Sequence, residues 1–196
     1  MIPKTEERIR NKIDKIKKAL KAGKDHWGGF YDDGQGRRYF PPKHYIQLAD
    51  YSGGLRYLNW FDKNFPDDSG DPEFLFEWTI ILFKTGRIKE AEKKAFLTFT
   101  RNTYLFDKFF DRPIIPIDKW EGSNLEVAEY AIEDFEYSHR QKNLLDFGVW
   151  LNKLAQTEKF LNSTQKYIEI YQQLKIENNR EIRRSLIRQA DQLEDE

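Results

Sequence analysis

The fold of this chain is decided by the stretch Lys84-Thr85-Gly86-Arg87-Ile88-Lys89-Glu90-Ala91-Glu92-Lys93-Lys94-Ala95. Apolar residues recur at helical spacing on both sides of its glycine. Before it they are Phe74, Leu75, Trp78, Ile81 and Leu82, and after it Ile88, Ala91, Ala95 and Phe99. Glycine at position 86 suits a chain reversal, because it adopts backbone conformations that other residues avoid. Residues 72–101 are therefore predicted to form a helical hairpin.

The rest of the chain carries the same helical signal. Valine, which strands favour, occurs only at Val127 and Val149, whereas Leu, Ile, Phe and Tyr are frequent together with Lys, Glu and Gln. No useful window alternates apolar and polar residues with the period of two that a half-buried strand requires. We therefore predict an all-α protein.

Composition limits the classes of function. The 196 residues are predicted to form a single domain over 1–196, and 33 Lys+Arg balance 33 Asp+Glu, so charge gives no whole-chain argument for a polyanion partner. The lack of cysteine excludes disulfides, thiol nucleophiles and cysteine-ligated zinc, which fits a reducing compartment. No apolar run has the length of a signal peptide or a membrane span, so we predict a cytoplasmic protein without a membrane partner.

The N-terminal stretch from about residue 5 to residue 20 is predicted to be an amphipathic helix that ends near Gly23. Its apolar stripe consists of Ile9, Ile13, Ile16 and Leu20. Its polar face carries the lysines Lys12, Lys15, Lys17, Lys18 and Lys21 against a single acid, Asp14. Such a face suits nucleic acid or an anionic membrane. A solvated surface is the favoured interpretation, because the chain as a whole is neutral.

Further helices are predicted from spacing alone. Between residues 43 and 66 we expect two helices separated by a tight turn at Gly53-Gly54, and the prolines within 111–116 keep that segment extended. Ser123 and Glu126 have capping-box spacing and are predicted to open a helix. Its apolar face is either Val127, Ala131 and Phe135 or Leu125, Ala128 and Ile132. The last predicted helices lie at about 144–155, at about 159–174 and from about 181 onward.

Two adjacent stretches, 48–68 and 72–95, align with each other and resemble the tetratricopeptide repeat, a helix–turn–helix unit of about 34 residues. The second copy supplies the turn glycine, the large apolar residue after it and the small packing residue as Gly86, Ile88 and Ala91. The first copy supplies the corresponding pattern as Tyr51, Gly54 in the small position and Pro66 between the repeats. In a weaker third copy Trp150, Leu154 and Phe160 match Trp78, Leu82 and Ile88.

The resemblance implies a superhelix of antiparallel helix pairs with flanking N- and C-terminal helices. Its repeat-like units lie at about 43–66, 72–102 and 144–175, and its irregular segments are 24–42 and 111–121. The copies depart from the family pattern, since Thr103 stands where a terminal proline is expected and Pro41-Pro42 interrupt the first opening helix. A generic helical bundle is the alternative fold.

The resemblance also implies a non-enzymatic role in protein–protein interaction, as an adaptor, an inhibitor or an immunity-type partner. The first helices of the repeats would line a concave groove for a peptide or a partner helix. Its groove-facing residues are Phe76, Ile80, Phe83 and Lys84 in the second copy and Asn152 and Gln156 in the third. The second-copy positions are mostly apolar, so recognition of a terminal carboxylate is not expected. An apolar groove either takes a partner's apolar side chains or is covered by its own chain, and self-covering is favoured.

The glycine- and aromatic-rich segment from His26 to Pro42 follows neither the helical nor the strand period. The partner-binding residues predicted here are Trp27, Arg37, Arg38 and Tyr39, with Tyr31 as a further ring. Rings beside fixed positive charge suit an interaction hot spot or a platform for single-stranded nucleic acid. The favoured alternative is that the rings fold back and cap the end of the superhelix.

No catalytic residue, metal site or cofactor is predicted. Glu136 and His139 have the spacing of half a di-iron helix motif, but the other half is missing. The acidic stretches at 32–34 and 67–71 lack the spacing of a calcium loop. One alternative function is a helical enzyme or nucleotide-handling protein with a site at the aromatic loop, which requires convergence of Asp32, Asp33, His44 or His139. Another is nucleic-acid binding through the basic N-terminal helix, which the neutral chain makes the least favoured.

Overall fold

The computed structural model describes residues 3–29, 31 and 33–195. Within these residues the protein is all-α, as predicted, with ten α-helices, one short 3₁₀-helix at Arg37–Tyr39 and no strand. The helices are α1 (Pro3–His26), α2 (Pro41–Gln47), α3 (Tyr51–Asn64), α4 (Pro72–Lys84), α5 (Ile88–Arg101), α6 (Leu105–Phe109), α7 (Ala128–Glu133), α8 (Leu145–Ala155), α9 (Glu158–Ile176) and α10 (Arg180–Asp195). Among the described residues, no helix combines the length and apolar character that crossing a bilayer requires.

The chain divides into two compact units, residues 1–87 and 88–196. The first contains α1 to α4 and the second contains α5 to α10. The division falls at the turn 85–87, inside the second predicted repeat, where Gly86 has the positive φ of 76° that favours glycine. The prediction of one domain over 1–196 stays a prediction.

The first unit is built around the short helix α2, which packs against α1, α3 and α4, while α3 and α4 also pack against each other. Its core is aromatic. The ring of Phe61 lies 4.6 Å from that of Phe74 and 5.9 Å from that of Trp78, measured between ring centres. Tyr45 and Tyr57 are buried beside Ile13 of α1. Helices α2, α3 and α4 therefore bury rings where they meet their neighbours, while α1 contributes Ile13 and Leu20.

The turn predicted at Gly53-Gly54 is wrong, because both glycines lie inside the first turns of α3. The chain reverses at residues 48–50 instead, where Ala49 has a positive φ of 53°. Asp50 caps α3 by accepting a hydrogen bond of 2.9 Å from the backbone N–H of Gly53. A Cβ added to Gly54 would lie 2.8 Å from Ile81 Cδ1 and 3.2 Å from Tyr45 Cβ. The glycine is therefore required by close helix packing and not by a turn.

Two other boundaries also differ from the prediction. Helix α1 continues through Gly23 to His26, because an isolated glycine costs only about 1 kcal/mol in a helix whose Leu20 and Ile13 are buried. Pro41-Pro42 begin α2 and do not interrupt it, since proline is tolerated in the first helical turn, where the backbone N–H has no partner. The irregular segment is consequently shorter than 24–42.

In the second unit α5, α9 and α10 pack against one another, α8 packs against α9, and α6 packs against α7. Tyr167 of α9 is buried and its hydroxyl donates a hydrogen bond of 2.7 Å to the carbonyl oxygen of Thr100 at the end of α5. Residues 112–118 are not helical, as the prolines predict, but Asp111, which was predicted to be extended, lies in a turn with a positive φ of 53°. The helices predicted at about 144–155, at about 159–174 and from about 181 onward are confirmed as α8, α9 and α10.

The helix predicted to open at Ser123 is wrong in its start and in its length. Glu126 accepts hydrogen bonds from Gly122 N and Ser123 Oγ, but these bonds close a turn, and α7 begins only at Ala128. The side-chain amide of Asn102 donates to the carbonyl oxygens of Leu125 and Val127, at 2.7 and 3.0 Å, and so holds this backbone in place. A distant side chain therefore overrides the local helix signal. The short helix α6 was not predicted.

Candidate functional site

A groove of about 440 Å³ lies on the second unit. Its walls come from α5, from the junction between α8 and α9, from the first turns of α9 and from the end of α10. The lining residues are Lys89, Glu92, Lys93, Phe96, Leu154, Thr157, Lys159, Phe160, Ser163, Leu193 and Glu194. A groove of this volume is large enough to enclose a small ligand or a few side chains of a peptide.

The floor of the groove is apolar and fixed by ring packing. The rings of Phe96 and Phe160 meet edge to face, with their centres 6.0 Å apart at 89°. The Phe160 ring also stacks on that of Phe106, with 6.1 Å between the ring centres. Thr157 caps α9 by accepting from Phe160 N, which sets the position of Phe160 in the first turn.

One wall of the groove depends on an ion pair between α5 and α10. Arg101 Nη1 donates to Glu194 Oε1 at 2.7 Å, and Arg101 Nη2 donates to Glu194 Oε2 at 3.1 Å. Burial alone would lower the pKa of Arg101, but its hydrogen bonds and attraction to Glu194 outweigh that effect and raise it. Both carboxylate oxygens of Glu194 are thereby engaged, and the end of α10 is held beside Leu193 against the groove.

The rim of the groove is positive. Three lysines, Lys89, Lys93 and Lys159, stand against Glu92 and Glu194. The lining therefore carries one more positive than negative side chain. An apolar floor below lysines suits a ligand that combines an apolar side chain with carboxylates.

The predicted residues of the aromatic loop divide into two kinds. Trp27 and Arg37 are exposed. Arg38 and Tyr39 are half-buried and both bind Asp68, with Arg38 Nε and Tyr39 Oη each 2.6 Å from a carboxylate oxygen. Their polar groups thus tie the loop to the segment that follows α3.

Asp33 and Tyr57 complete this attachment. The Asp33 carboxylate accepts from the backbone N–H groups of Arg37 and Arg38 at 3.0 and 2.8 Å. Tyr57 of α3 donates to the carbonyl oxygen of Arg38 at 2.7 Å. Burial alone would raise the pKa of Asp68, but the hydrogen bonds from Tyr39, Gly70 N and Arg38 outweigh it and hold that pKa below its ordinary value. Asp68 is therefore ionised when the loop is attached.

We expect Asp68→Asn to destabilise the protein by about 1–2 kcal/mol at pH 7, because the ionised carboxylate binds two side chains and a backbone N–H. Since its pKa is lower in the folded state, the stabilisation is complete above the ordinary carboxyl range and is lost as the pH falls through the folded-state pKa. Urea unfolding at pH 7 and at acid pH measures this. Asp67→Asn is the matched control, and equal effects of both substitutions would refute the role of Asp68.

The groove-facing positions implied for the second copy do not line the groove of the second unit. Phe76 and Ile80 are fully buried in α4. Phe83 and Lys84 at the end of α4 are partly exposed, and Lys84 Nζ lies 5.6 Å from the ring centre of Tyr51. For Phe76 and Ile80 this burial leaves no accessible surface for a ligand.

In the third copy the predicted residues flank the groove in sequence without lining it. Asn152 Oδ1 accepts from Arg112 Nη2 at 2.8 Å, and Gln156 is the exposed C-cap of α8. The residues that do line the groove at this junction are Leu154 and Thr157. Asn152 and Gln156 thus lie beside the junction that lines the groove, but their side chains do not contribute to it.

The side chains proposed for an enzyme lie in different surroundings where they are described. Asp33 binds the backbone of the aromatic loop, and His44 Nδ1 lies 3.2 Å from Gln47 Oε1, while burial lowers the pKa of His44. His139, in the second unit, contacts the carbonyl oxygen of Phe109 at 3.1 Å. Asp32 lies outside the described residues. Among the residues that are described, no group of three or more acidic or histidine side chains is placed to hold a metal ion.

Two residues of the groove, Phe96 and Leu193, were not predicted as binding residues, because helical spacing does not show which residues meet across a groove. The apolar face predicted for α5 consists of Ile88, Ala91, Ala95 and Phe99. Phe96 is not part of this face, so no role was predicted for it. Leu193 was recognised as part of an amphipathic helix, but its neighbours across the groove are far away in sequence.

We compared the chain with protein-family models, with curated proteins and with solved structures, and it matches none of them.

Proposed function

We propose that the chain is a protein-interaction module of the tetratricopeptide-like helical-repeat type, with no catalytic chemistry of its own. The observation that carries this proposal is the groove of the second unit, with its phenylalanine floor and lysine rim. Packed helix pairs, α2 with α3 and α8 with α9, fall within the first and third predicted repeat-like units and support it further. Binding by shape and charge is what such a surface does best.

The proposed partner is a protein with an acidic segment that carries one aromatic or large aliphatic side chain. The apolar side chain would enter the groove over Phe96 and Phe160, where contact with two rings replaces contact with water. The carboxylates on either side would face Lys89, Lys93 and Lys159. The charge of the rim selects against a basic segment, because like charges would then meet.

The test uses a fluorescein-labelled peptide in which one phenylalanine is flanked by aspartates and glutamates, titrated with the full chain and followed by anisotropy. We expect saturable binding that weakens as salt is added. Lys89→Glu reverses a charge at the rim and is expected to weaken binding about fivefold. Lys89 is exposed, so the substitution leaves the core untouched.

Lys166→Glu is the matched control, since Lys166 is also an exposed lysine of the second unit but lies outside the groove. It is expected to change binding less than twofold, an effect of overall charge alone. A second peptide with asparagine and glutamine in place of the acids tests the charge selection. Equal binding of both peptides, no binding of either, or equal loss in both variants would overturn the proposal.

A further inference from the structure

A second and larger cleft, of about 680 Å³, lies in the first unit between α1 and α3. Its lining residues are Arg10, Ile13, Asp14, Lys17, Lys21, Tyr31, Tyr45, Asp50, Gly53, Arg56, Tyr57 and Trp60. Tyr31 was named with the aromatic loop, and Lys17 and Lys21 with the basic face of the N-terminal helix, but the sequence did not predict that they share a cleft. The cleft combines two chemistries, aromatic rings at its base and cations along its edges.

The base of the cleft is a connected group of rings. Trp60 lies 5.2 Å from Tyr57 and 5.6 Å from Tyr31, measured between ring centres. Tyr57 and Tyr45 are buried, whereas Trp60 and Tyr31 keep part of their surface exposed. The Tyr31 ring is perpendicular to that of Trp60, and Lys24 Nζ lies 4.5 Å from the centre of the Tyr31 ring. The exposed ring surface of Trp60 is therefore the face on which a flat aromatic ligand can stack.

The edges of the cleft are cationic on both sides. Arg10, Lys17 and Lys21 lie seven and four residues apart on one stripe of α1, and Arg56 faces them from α3. Within the described part of the chain, the side chains of Lys21 and Arg56 form no hydrogen bond or ion pair. Lys17 is positioned by a hydrogen bond of 2.8 Å from its Nζ to Tyr45 Oη.

The two acids of the cleft do not cancel this charge. Asp50 is engaged as the N-cap of α3 and lies 3.7 Å from Arg10 Nη1. Asp14 is exposed on α1. Four cations, Arg10, Lys17, Lys21 and Arg56, line the cleft with these two acids, but Arg10 is also paired with Glu6 at 2.9 Å. The cations left to face an anionic group are therefore Lys21 and Arg56.

We infer that this cleft binds an aromatic phosphate, of which a free purine nucleotide is the representative. The base would stack on Trp60, with the perpendicular ring of Tyr31 at its edge. The phosphate would lie between Arg56 and Lys21, whose side chains have no partner in the described residues. The inference is independent of the proposed function, because that groove and this cleft lie in different units.

A free nucleotide fits the observations better than a nucleic-acid strand. The cations converge on one cleft of about 680 Å³, which is the size of a small-molecule site. A strand needs a continuous positive track for successive phosphates, and the chain as a whole has a net charge of zero.

The test is saturation-transfer NMR and calorimetry on the full chain with adenosine monophosphate, adenosine and inorganic phosphate as separate probes. We expect the monophosphate to bind more tightly than either part, with the strongest transfer on the adenine protons. Arg56→Gln is expected to weaken its binding about tenfold, because a charged hydrogen bond to phosphate is lost. Lys63→Gln, an exposed position of α3 outside the cleft, is the control and is expected to change it less than twofold.

Several outcomes would overturn this inference. The first is that adenosine monophosphate binds no more tightly than inorganic phosphate. The second is that Arg56→Gln and Lys63→Gln weaken its binding equally. The third is that an adenine decanucleotide binds far more tightly than the monophosphate, with a steep dependence on salt. The last outcome would indicate a nucleic-acid surface. The two proposals remain separable, since Arg56→Gln should leave peptide binding unchanged and Lys89→Glu should leave nucleotide binding unchanged.

Discussion

Gly54→Leu is expected to destabilise the first unit by about 3 kcal/mol, at the upper end of the range for overpacked cores. The reason is geometric. Even a single Cβ at this position would lie within 3.2 Å of Tyr45 Cβ and 2.8 Å of Ile81 Cδ1. The branched side chain of leucine would have to push α2 and α4 away from α3, because these three helices pack against one another at this point.

Urea unfolding followed by circular dichroism measures this effect as a shift of the midpoint. The matched control is Asn59→Leu, which places the same side chain at an exposed position of the same helix and is expected to stay within about 0.5 kcal/mol of wild type. Gly54→Ala should fall between the two, since Ile81 Cδ1 is the flexible end of its side chain and helix propensity partly offsets the contact. If Gly54→Leu is as stable as Asn59→Leu, the close packing of α3 is refuted.

Gly54 also shows which features of the fold a sequence pattern predicts and which it does not. The absence of strand periodicity and the helical spacing of apolar residues predict the all-α class, because both are properties of neighbouring residues. A glycine, however, marks either a chain reversal or a close approach of two helices, and spacing does not separate these cases. Gly86 lies in a turn with the positive φ of 76° that favours glycine, whereas Gly54 is an example of close approach.

The same limit applies to Ser123 and Glu126. Their side chains are hydrogen-bonded to each other, so the local signal is real. The helix still starts later, because Asn102 binds the backbone carbonyl oxygens of Leu125 and Val127 from outside the segment. A sequence pattern predicts the local bonds but not the distant side chain that competes with the helix.

The candidate groove was less predictable than the fold for the same reason. One of its walls depends on the binding of Glu194 by Arg101, two residues that are 93 positions apart in sequence. The cleft of the first unit likewise joins the lysine stripe of α1, which was predicted as a solvated face, to rings of α3 for which no role was predicted. Sites formed between helices need the packing order of the helices, which periodicity does not contain.

Phe160→Ala is expected to have the largest effect in the second unit, a loss of about 3–5 kcal/mol of stability. The buried Phe160 ring contacts three others, those of Phe96, Phe99 and Phe106, with centres 6.0 to 6.3 Å away. Truncation would leave a cavity that these rings cannot fill without moving, and α9 carries contacts to both α5 and α10. In a chain of this length a change of that size lowers the thermal midpoint by about 10 °C.

Leu161→Ala tests whether the effect belongs to this ring or to any apolar residue at the start of α9. Leu161 is the next residue of the helix and is 51% exposed, so its truncation is expected to cost no more than about 0.5 kcal/mol. Phe160→Leu, which keeps most of the volume, should recover more than half of the loss if the cavity is its cause. Equal midpoints for Phe160→Ala and Leu161→Ala would mean that the rings do not form the core of this unit. The proposed phenylalanine floor of the groove would then be refuted as well, even if Lys89→Glu still weakened peptide binding.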